Sequence, residues 1–329
     1  MSHPEFRLPA EWERQSAVLL AWPHESGAWA DRLDPIRDEF VILITAILRH
    51  QQAIVLIQPG DRSAAARLGD QAGLHCLEIP FDDTWCRDYG PITLVSSGQR
   101  LALDFHFNGW GGKHPAARDN RVNLHLSRHE LFNRIPFRQS LFELEGGAID
   151  SDGRGRLLVN WHCLQTRHPH LSRREIRHEL CDLLNVDEVI GIDIEPMAGD
   201  DTDGHIDTLV RFADTSTLIF QLQADPERSL LIRSQLEALR QRGGQSYRLI
   251  SLPHAGGFNP DLPANYANFL LINDACLVPA YGVPADEHAC AILAELFPAR
   301  SIEPVPAQTM ISQFGGPHCA TMNIPAALG

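Results

Sequence analysis

Apolar residues in this chain return in two rhythms. Over 34–50, 61–72, 172–184, 225–242 and 285–296 they recur every three to four positions, the spacing of an amphipathic helix. The ends of these stretches carry signals of their own. Ser172-Arg173-Arg174-Glu175 reads as a capping box, opening a helix with apolar positions at Ile176, Leu180, Leu183 and Leu184. Asp225-Pro226 offers an N-cap followed by a first-turn proline, and Gly243-Gly244 a stop. Between the helices lie short runs rich in β-branched residues, at 53–57, 157–159, 188–192, 217–220 and 247–250, of a length that suits strands. Strands alternating with helices predict an α/β protein. No Gly/Ser linker or charge block divides the chain, so a single domain over 1–329 is expected.

A slower rhythm overlies these two. Polar, glycine-rich segments stand around Asp88, Glu145, His205, Tyr266 and Cys319, at intervals of roughly 55–60 residues. A unit of strands plus one helix, repeated five times, would produce that spacing.

Composition narrows the classes of function. Formal net charge is −14, so the summed field repels phosphate backbones and favours small cations; nucleic-acid binding is not expected. The longest apolar run, 40–48, is too short to cross a bilayer, and no membrane association is expected. Met1-Ser2-His3-Pro4-Glu5-Phe6 lacks a basic segment followed by an apolar one, so a cytoplasmic location is expected. Seven cysteines with no C-x-x-C pair argue against a zinc ribbon and a disulfide framework. Oligomeric state stays open, a homo-oligomer included.

Four segments concentrate chemistry. Asp82-Asp83-Thr84-Trp85-Cys86-Arg87-Asp88-Tyr89 crowds carboxylates and aromatics beside one arginine. It reads either as a solvated loop with a local Arg–Asp pair or as a carboxylate against an aromatic wall, suited to a planar cation. Glu145 precedes Gly146-Gly147, which would let a ligand approach closely. Asp201-Thr202-Asp203-Gly204-His205-Ile206-Asp207 resembles a calcium loop, but that register places Gly199 first and Val210 twelfth, neither of which ligates. If a strand follows Gly204, His205 and Asp207 share one face as an acid/base and its orienter. Among three His-Cys dipeptides, His75-Cys76 and His162-Cys163 read as core thiols. Only His318-Cys319 follows a Gly-Gly-Pro turn that can project a thiol into a cleft.

In this order, Trp85-Cys86-Arg87-Asp88-Tyr89-Gly90-Pro91, Glu145-Gly146-Gly147, Asp201 through Asp207, Tyr266-Ala267-Asn268-Phe269 and Gly315-Gly316-Pro317-His318-Cys319 resemble the agmatine deiminases and bacterial peptidyl-arginine deiminases. Pro9-Ala10-Glu11-Trp12-Glu13 and Ala21-Trp22-Pro23 resemble the start of that family. The resemblance implies a five-bladed α/β propeller of ββαβ units about a pseudo-fivefold axis. It implies hydrolysis of a guanidinium to a ureido group without metal or cofactor, on a small cationic guanidino substrate. Asp88, Glu145 and Asp207 match carboxylates that bind the guanidinium beside Trp85. Cys319 matches the nucleophile and His205 the general acid/base.

Gln313, Phe314 and Pro317 depart from the agmatine deiminase pattern and are expected to shape the pocket around the substrate's tail. Agmatine is the expected substrate, giving N-carbamoylputrescine and ammonia. Free arginine, peptidyl-arginine and a non-catalytic guanidinium-binding protein stand as alternatives.

Overall fold

The computed structural model describes residues 6–197, 199–259 and 262–328; the opening residues 1–5 lie outside them. Sixteen strands form five sheets among the described residues. Strands β1 (Gln15–Ala21), β2 (Gln52–Ile57) and β3 (Leu74–Glu78) lie side by side and parallel. The next four sheets each hold three strands: β4 (Ile92–Ser96), β5 (Gln99–His106) and β6 (Phe137–Glu143); then β7 (Ile149–Ser151), β8 (Arg156–Asn160) and β9 (Glu188–Ile192). After them come β10 (Val210–Asp214), β11 (Thr217–Gln221) and β12 (Arg248–Leu252), followed by β13 (Leu270–Leu271), β14 (Ala275–Ala280) and β15 (Ser301–Pro306). Finally β16 (Thr321–Pro325) returns antiparallel to β1, so the two ends of the chain complete one sheet.

Every sheet repeats one plan. The first pair is antiparallel and the second parallel, because a helical crossover carries the chain back before the last strand. The crossover helices bury one stripe each. Helix Leu33–Leu48 buries Ile36, Phe40, Leu43, Ile44 and Ile47 at helical spacing, and Ala285–Leu296 buries Ala289 and Leu293. Helix Arg173–Leu184 opens on the expected capping box and closes on Asn185 in the left-handed region (φ 51°).

Two helices are shorter than their patterns suggest. Ser63–Leu68 stops where Gly69 turns to φ 66°, so 61–72 is not one helix. Pro226–Ala238 stops four residues before Arg242, because Leu239 is extended and Arg240 bridges to Ser246. No helix among the described residues is long and apolar enough to cross a membrane.

The five polar segments occupy equivalent places in this plan. Asp88, Glu145, His205, Asn268 and Cys319 each stand two to five residues before the opening strand of a sheet: β4, β7, β10, β13 and β16. The slow rhythm in the sequence is therefore the sheet repeat.

Candidate active site

Residues delivered by the five segments meet in a buried cluster. Asp88, Glu145, His205, Asp207, Asn268 and Cys319 are all less than a tenth exposed. Cys319, Asp88 and Trp85 line a cavity of about 320 Å³, with Trp110, Asp83 and Asp201 around it. A narrower cavity of about 70 Å³ reaches Cys319 and His205 from another side, past Thr202 and Arg228. Phe314 lines both, and Gln313 lines the larger; Pro317 instead gives its carbonyl to the Thr321 hydroxyl at 2.8 Å.

The turn at Trp85–Tyr89 sets the first carboxylate. Asp88 accepts from the Trp110 indole N–H at 2.9 Å and from the Gly147 backbone N–H at 3.0 Å. Trp110 reaches it from a Gly-Trp-Gly-Gly segment held at positive φ throughout, 55° at Trp110 itself. Arg87 forms no local pair with the neighbouring aspartates. It turns to the His318 carbonyl at 3.2 Å and the Asn323 amide oxygen at 2.7 Å, fixing the turn to the segment that bears Cys319. Glu145 stands before the single 3-10 turn Gly146–Ala148, and its Oε1 accepts from Arg167 Nε at 2.6 Å.

His205 and Asp207 do not share a strand face. Residues Ile206–Thr208 form a 3-10 turn and the strand begins only at Val210, so the two side chains reach the site from a turn and make different partners. His205 places Nε2 3.4 Å from Glu145 and Nδ1 3.6 Å from Asp88. Asp207 faces the other half of the site. Its Oδ2 lies 2.7 Å from His318 Nδ1, 3.3 Å from Asn268 Nδ2 and 3.7 Å from Cys319 Sγ.

Charge in this enclosure follows from burial and neighbours. Burial pushes the Cys319 thiol well up, and Asp207 and Asp88 push it further, against hydrogen bonds from Gly316 and Asn268. Burial likewise raises Asp88, to about 6, with Asp207 and Glu145 adding and His205 opposing. For Glu145 burial acts upward too, but His205 and Arg167 outweigh it and hold the carboxyl low. Asp207 is held low the same way by its bond to His318. Burial alone would lower His205; Asp88, Cys163 and Glu145 outweigh it and raise the imidazole well above its ordinary value. Burial and neighbouring charge thus oppose the Cys319 thiolate and favour the protonated imidazole of His205.

Several participants were not legible as such. Asn268 sits in a quoted motif, yet nothing in the sequence marks its amide as the partner of Cys319. Glu11 accepts from His318 Nε2 and from buried Arg211, both at 2.7 Å, links across 307 and 200 residues that no local pattern signals. Of the other two His-Cys thiols, Cys76 departs from the core reading, exposed on β3, an outer strand of its sheet, whereas Cys163 is buried in the core as expected, on the helix Trp161–Arg167. Cys163 is buried beside His205 and Glu145, and these three bring ligand-type atoms within 4.8 Å of one another.

Comparison with known proteins accords with this geometry. Residues 7–325 match the model of the Porphyromonas-type peptidyl-arginine deiminases. The agmatine deiminase of Pseudomonas aeruginosa strain UCBPP-PA14 is 31% identical over 356 residues, covering 98% of this chain and 96% of its own. A substrate-bound Cys-to-Ser variant of C. jejuni agmatine deiminase superposes with a TM-score of 0.91 at 29% identity, covering 100% of this chain and 99% of its own. A Porphyromonas gingivalis structure provisionally named an arginine deiminase gives 0.88 at 40% identity, covering 97% and 98%. A match over nearly the whole length, with an enclosed thiol, imidazole and carboxylates at its centre, places this chain in the Porphyromonas-type peptidyl-arginine deiminase family.

Proposed function

We propose that this protein hydrolyses agmatine to N-carbamoylputrescine and ammonia through a covalent intermediate on Cys319. The observation that carries this reading is the meeting of Cys319, His205, Asp88, Glu145 and Asp207 in one buried cluster beside a cavity of about 320 Å³. Asp88, Glu145 and Asp207 bind the planar cation by charge-assisted hydrogen bonds, with Trp85 beside it, and fix its carbon for attack. The cation's charge favours loss of the Cys319 thiol proton to solvent, and the thiolate adds to that carbon. His205 gives a proton to the departing nitrogen, and ammonia leaves an S-bound thiouronium. The same imidazole then takes a proton from water, which attacks the thiouronium carbon; the ureido product departs and the Cys319 sulfur is restored.

In the same reading the five sheets are blades about a pseudo-fivefold axis, within one domain over 1–329. Their shared plan and the equivalent places of the site segments support it. Seven cysteines without a disulfide suit a reducing, cytoplasmic setting.

One observation favours a second substrate class. Arg228 lines the narrower cavity, and its buried Nε has no hydrogen-bond partner. A guanidino compound that also carries a carboxylate, such as free arginine, would supply one.

Incubation with agmatine, arginine and an arginine-containing peptide, with ureido product and ammonia both measured, separates these readings. Agmatine is expected to turn over fastest and Cys319→Ser not at all. Preference for arginine would favour the carboxylate reading, and turnover of nothing a binding protein.

A further inference from the structure

We propose that Glu145, Cys163 and His205 form a binding site for a thiophilic divalent cation, Zn²⁺ by its chemistry, which closes the active site when filled. Cys163 has no part in the reaction above. Its thiol sits on the inner side of the helix Trp161–Arg167, fully buried, 3.4 Å from the Thr202 carbonyl. From there it looks onto the imidazole of His205 and the carboxylate of Glu145, all three ligand atoms lying within 4.8 Å of one another.

The free valences point the right way. Glu145 gives Oε1 to Arg167 and turns Oε2 toward His205 Nε2, at 3.4 Å. His205 Nδ1, buried and without a hydrogen-bond partner, faces Asp88 at 3.6 Å. A ring that ligates through Nε2 would thus hold its remaining N–H toward a carboxylate, the arrangement that orients metal-bound histidines.

One thiolate, one imidazole and one carboxylate form a zinc donor set, whereas Ca²⁺ and Mg²⁺ require oxygens. Zinc bond lengths call for ligand atoms roughly 3.3–3.7 Å apart, so the three groups must draw in by about 1 Å. The Arg167 guanidinium opposes the metal's charge; the thiolate and carboxylate match the ion's two charges, and Asp203, paired with Arg167, offsets the guanidinium. Of the three ligands His205 lines the narrower cavity, with Thr202 beside it, so the ion's route runs along the imidazole.

Binding releases the Cys163 thiol proton and any proton on His205 Nε2 to solvent. It leaves His205 unable to shuttle protons and Glu145 unable to hold a guanidinium, so metal and substrate exclude each other. This inhibition rests on the proposed reaction; the binding itself does not.

The test therefore starts with binding. Cys319→Ser protein, which lacks the other thiol of the cavity, is titrated with Co²⁺ alone and then with Zn²⁺. One Co²⁺ per chain is expected, with a near-ultraviolet thiolate-to-cobalt charge-transfer band that Zn²⁺ abolishes. The band is expected to vanish when Cys163→Ala is added, and equally with Cys163→Ser, which keeps the side chain's shape should alanine unfold the helix. In the otherwise unaltered enzyme, Zn²⁺ is expected to inhibit competitively, with reversal by a chelator and inhibition at least about tenfold weaker in Cys163→Ala. No band, a band that survives loss of Cys163, or equal inhibition in both proteins would overturn the site. Absence of turnover with every guanidino substrate leaves the cobalt titration to decide it alone.

Discussion

The side-chain amide of Asn268 holds both ends of Cys319: its Nδ2 lies 3.1 Å from the Sγ, and its Oδ1 accepts from the Cys319 backbone N–H at 3.2 Å. The same oxygen accepts from the His318 N–H at 3.1 Å. Replacing it by alanine strands the buried Cys319 N–H, leaves the His318 N–H only the Asn268 backbone carbonyl at 3.3 Å, and removes a donor that favours the thiolate. Asn268→Ala should lose about 1–3 kcal/mol of stability and slow alkylation of Cys319 at neutral pH. Asn268→Asp adds a third negative charge near the sulfur and should slow it further. Iodoacetamide rates across a pH series check this, and an Asp variant that alkylates like the parent would contradict it.

Burial and two carboxylates oppose the negative charge of the Cys319 thiolate. A guanidinium between those carboxylates and the sulfur reverses the local field. Thiolate absorbance near the blue edge of the protein spectrum, corrected with Cys319→Ser, should therefore titrate at lower pH when an unreactive guanidinium ligand is bound. Equal midpoints with and without ligand would remove substrate-triggered activation.

Asp88 bears the pH dependence of binding. Its pKa is raised to about 6, so it takes up a proton as pH falls through that value, whereas a bound guanidinium requires the ionised form. Protonation thus competes with the ligand. In Cys319→Ser, where no reaction follows, affinity for agmatine should be level above this range and fall about tenfold per unit below it, by linkage. Calorimetry at stepped pH reads this directly, and a flat profile down to pH 5 would assign the proton elsewhere.

Beneath the site, Arg211 is fully buried between Glu11 at 2.7 Å and Asp150 at 3.5 Å, with its guanidinium over the Phe269 ring. Glu11 in turn accepts from His318, whose other nitrogen faces Asp207. Arg211→Leu takes the guanidinium from two buried carboxylates, leaving Glu11 its bond from His318 and Asp150 the Phe212 N–H, and should cost about 3–5 kcal/mol. Denaturant unfolding measures it. Arg211→Lys, which keeps the charge but not the fork, should fall between the two.

What could be read from the sequence, and what could not, divides by range. The capping box at Ser172 and Glu175, the Asp225 cap and the apolar stripe of the first long helix are local, and each element stands where its pattern places it. Helix ends at Leu68 and Ala238 were misjudged because single backbone turns at Gly69 and Leu239 decide them. Site residues were legible as motifs, since each segment opens a sheet and repeats at the period of the fold. Their contacts were not. The different partners of His205 and Asp207 depend on one 3-10 turn, and the Glu11–Arg211 and Asn268–Cys319 pairs join segments far apart in the chain.

Gly147 shows how closely these groups are drawn together. A Cβ built there would meet His205 Nδ1 at 2.5 Å, Asp88 Oδ1 at 2.9 Å and Asp207 Oδ2 at 3.2 Å. No left-handed backbone is required at this position, so the hydrogen side chain serves only to leave room. Alanine must therefore push apart the acid/base and two of the three carboxylates. A displacement of about 1 Å can cost on the order of a hundredfold in rate, while overpacking costs roughly 1–3 kcal/mol. Gly147→Ala should lose kcat/KM by about that factor and remain folded by circular dichroism. Gly256→Ala, where the nearest atom to a new Cβ is 3.8 Å away, serves as the neutral control. Wild-type kcat/KM in Gly147→Ala would mean that the polar cluster tolerates expansion, and that close packing of His205 on the carboxylates does not set the rate.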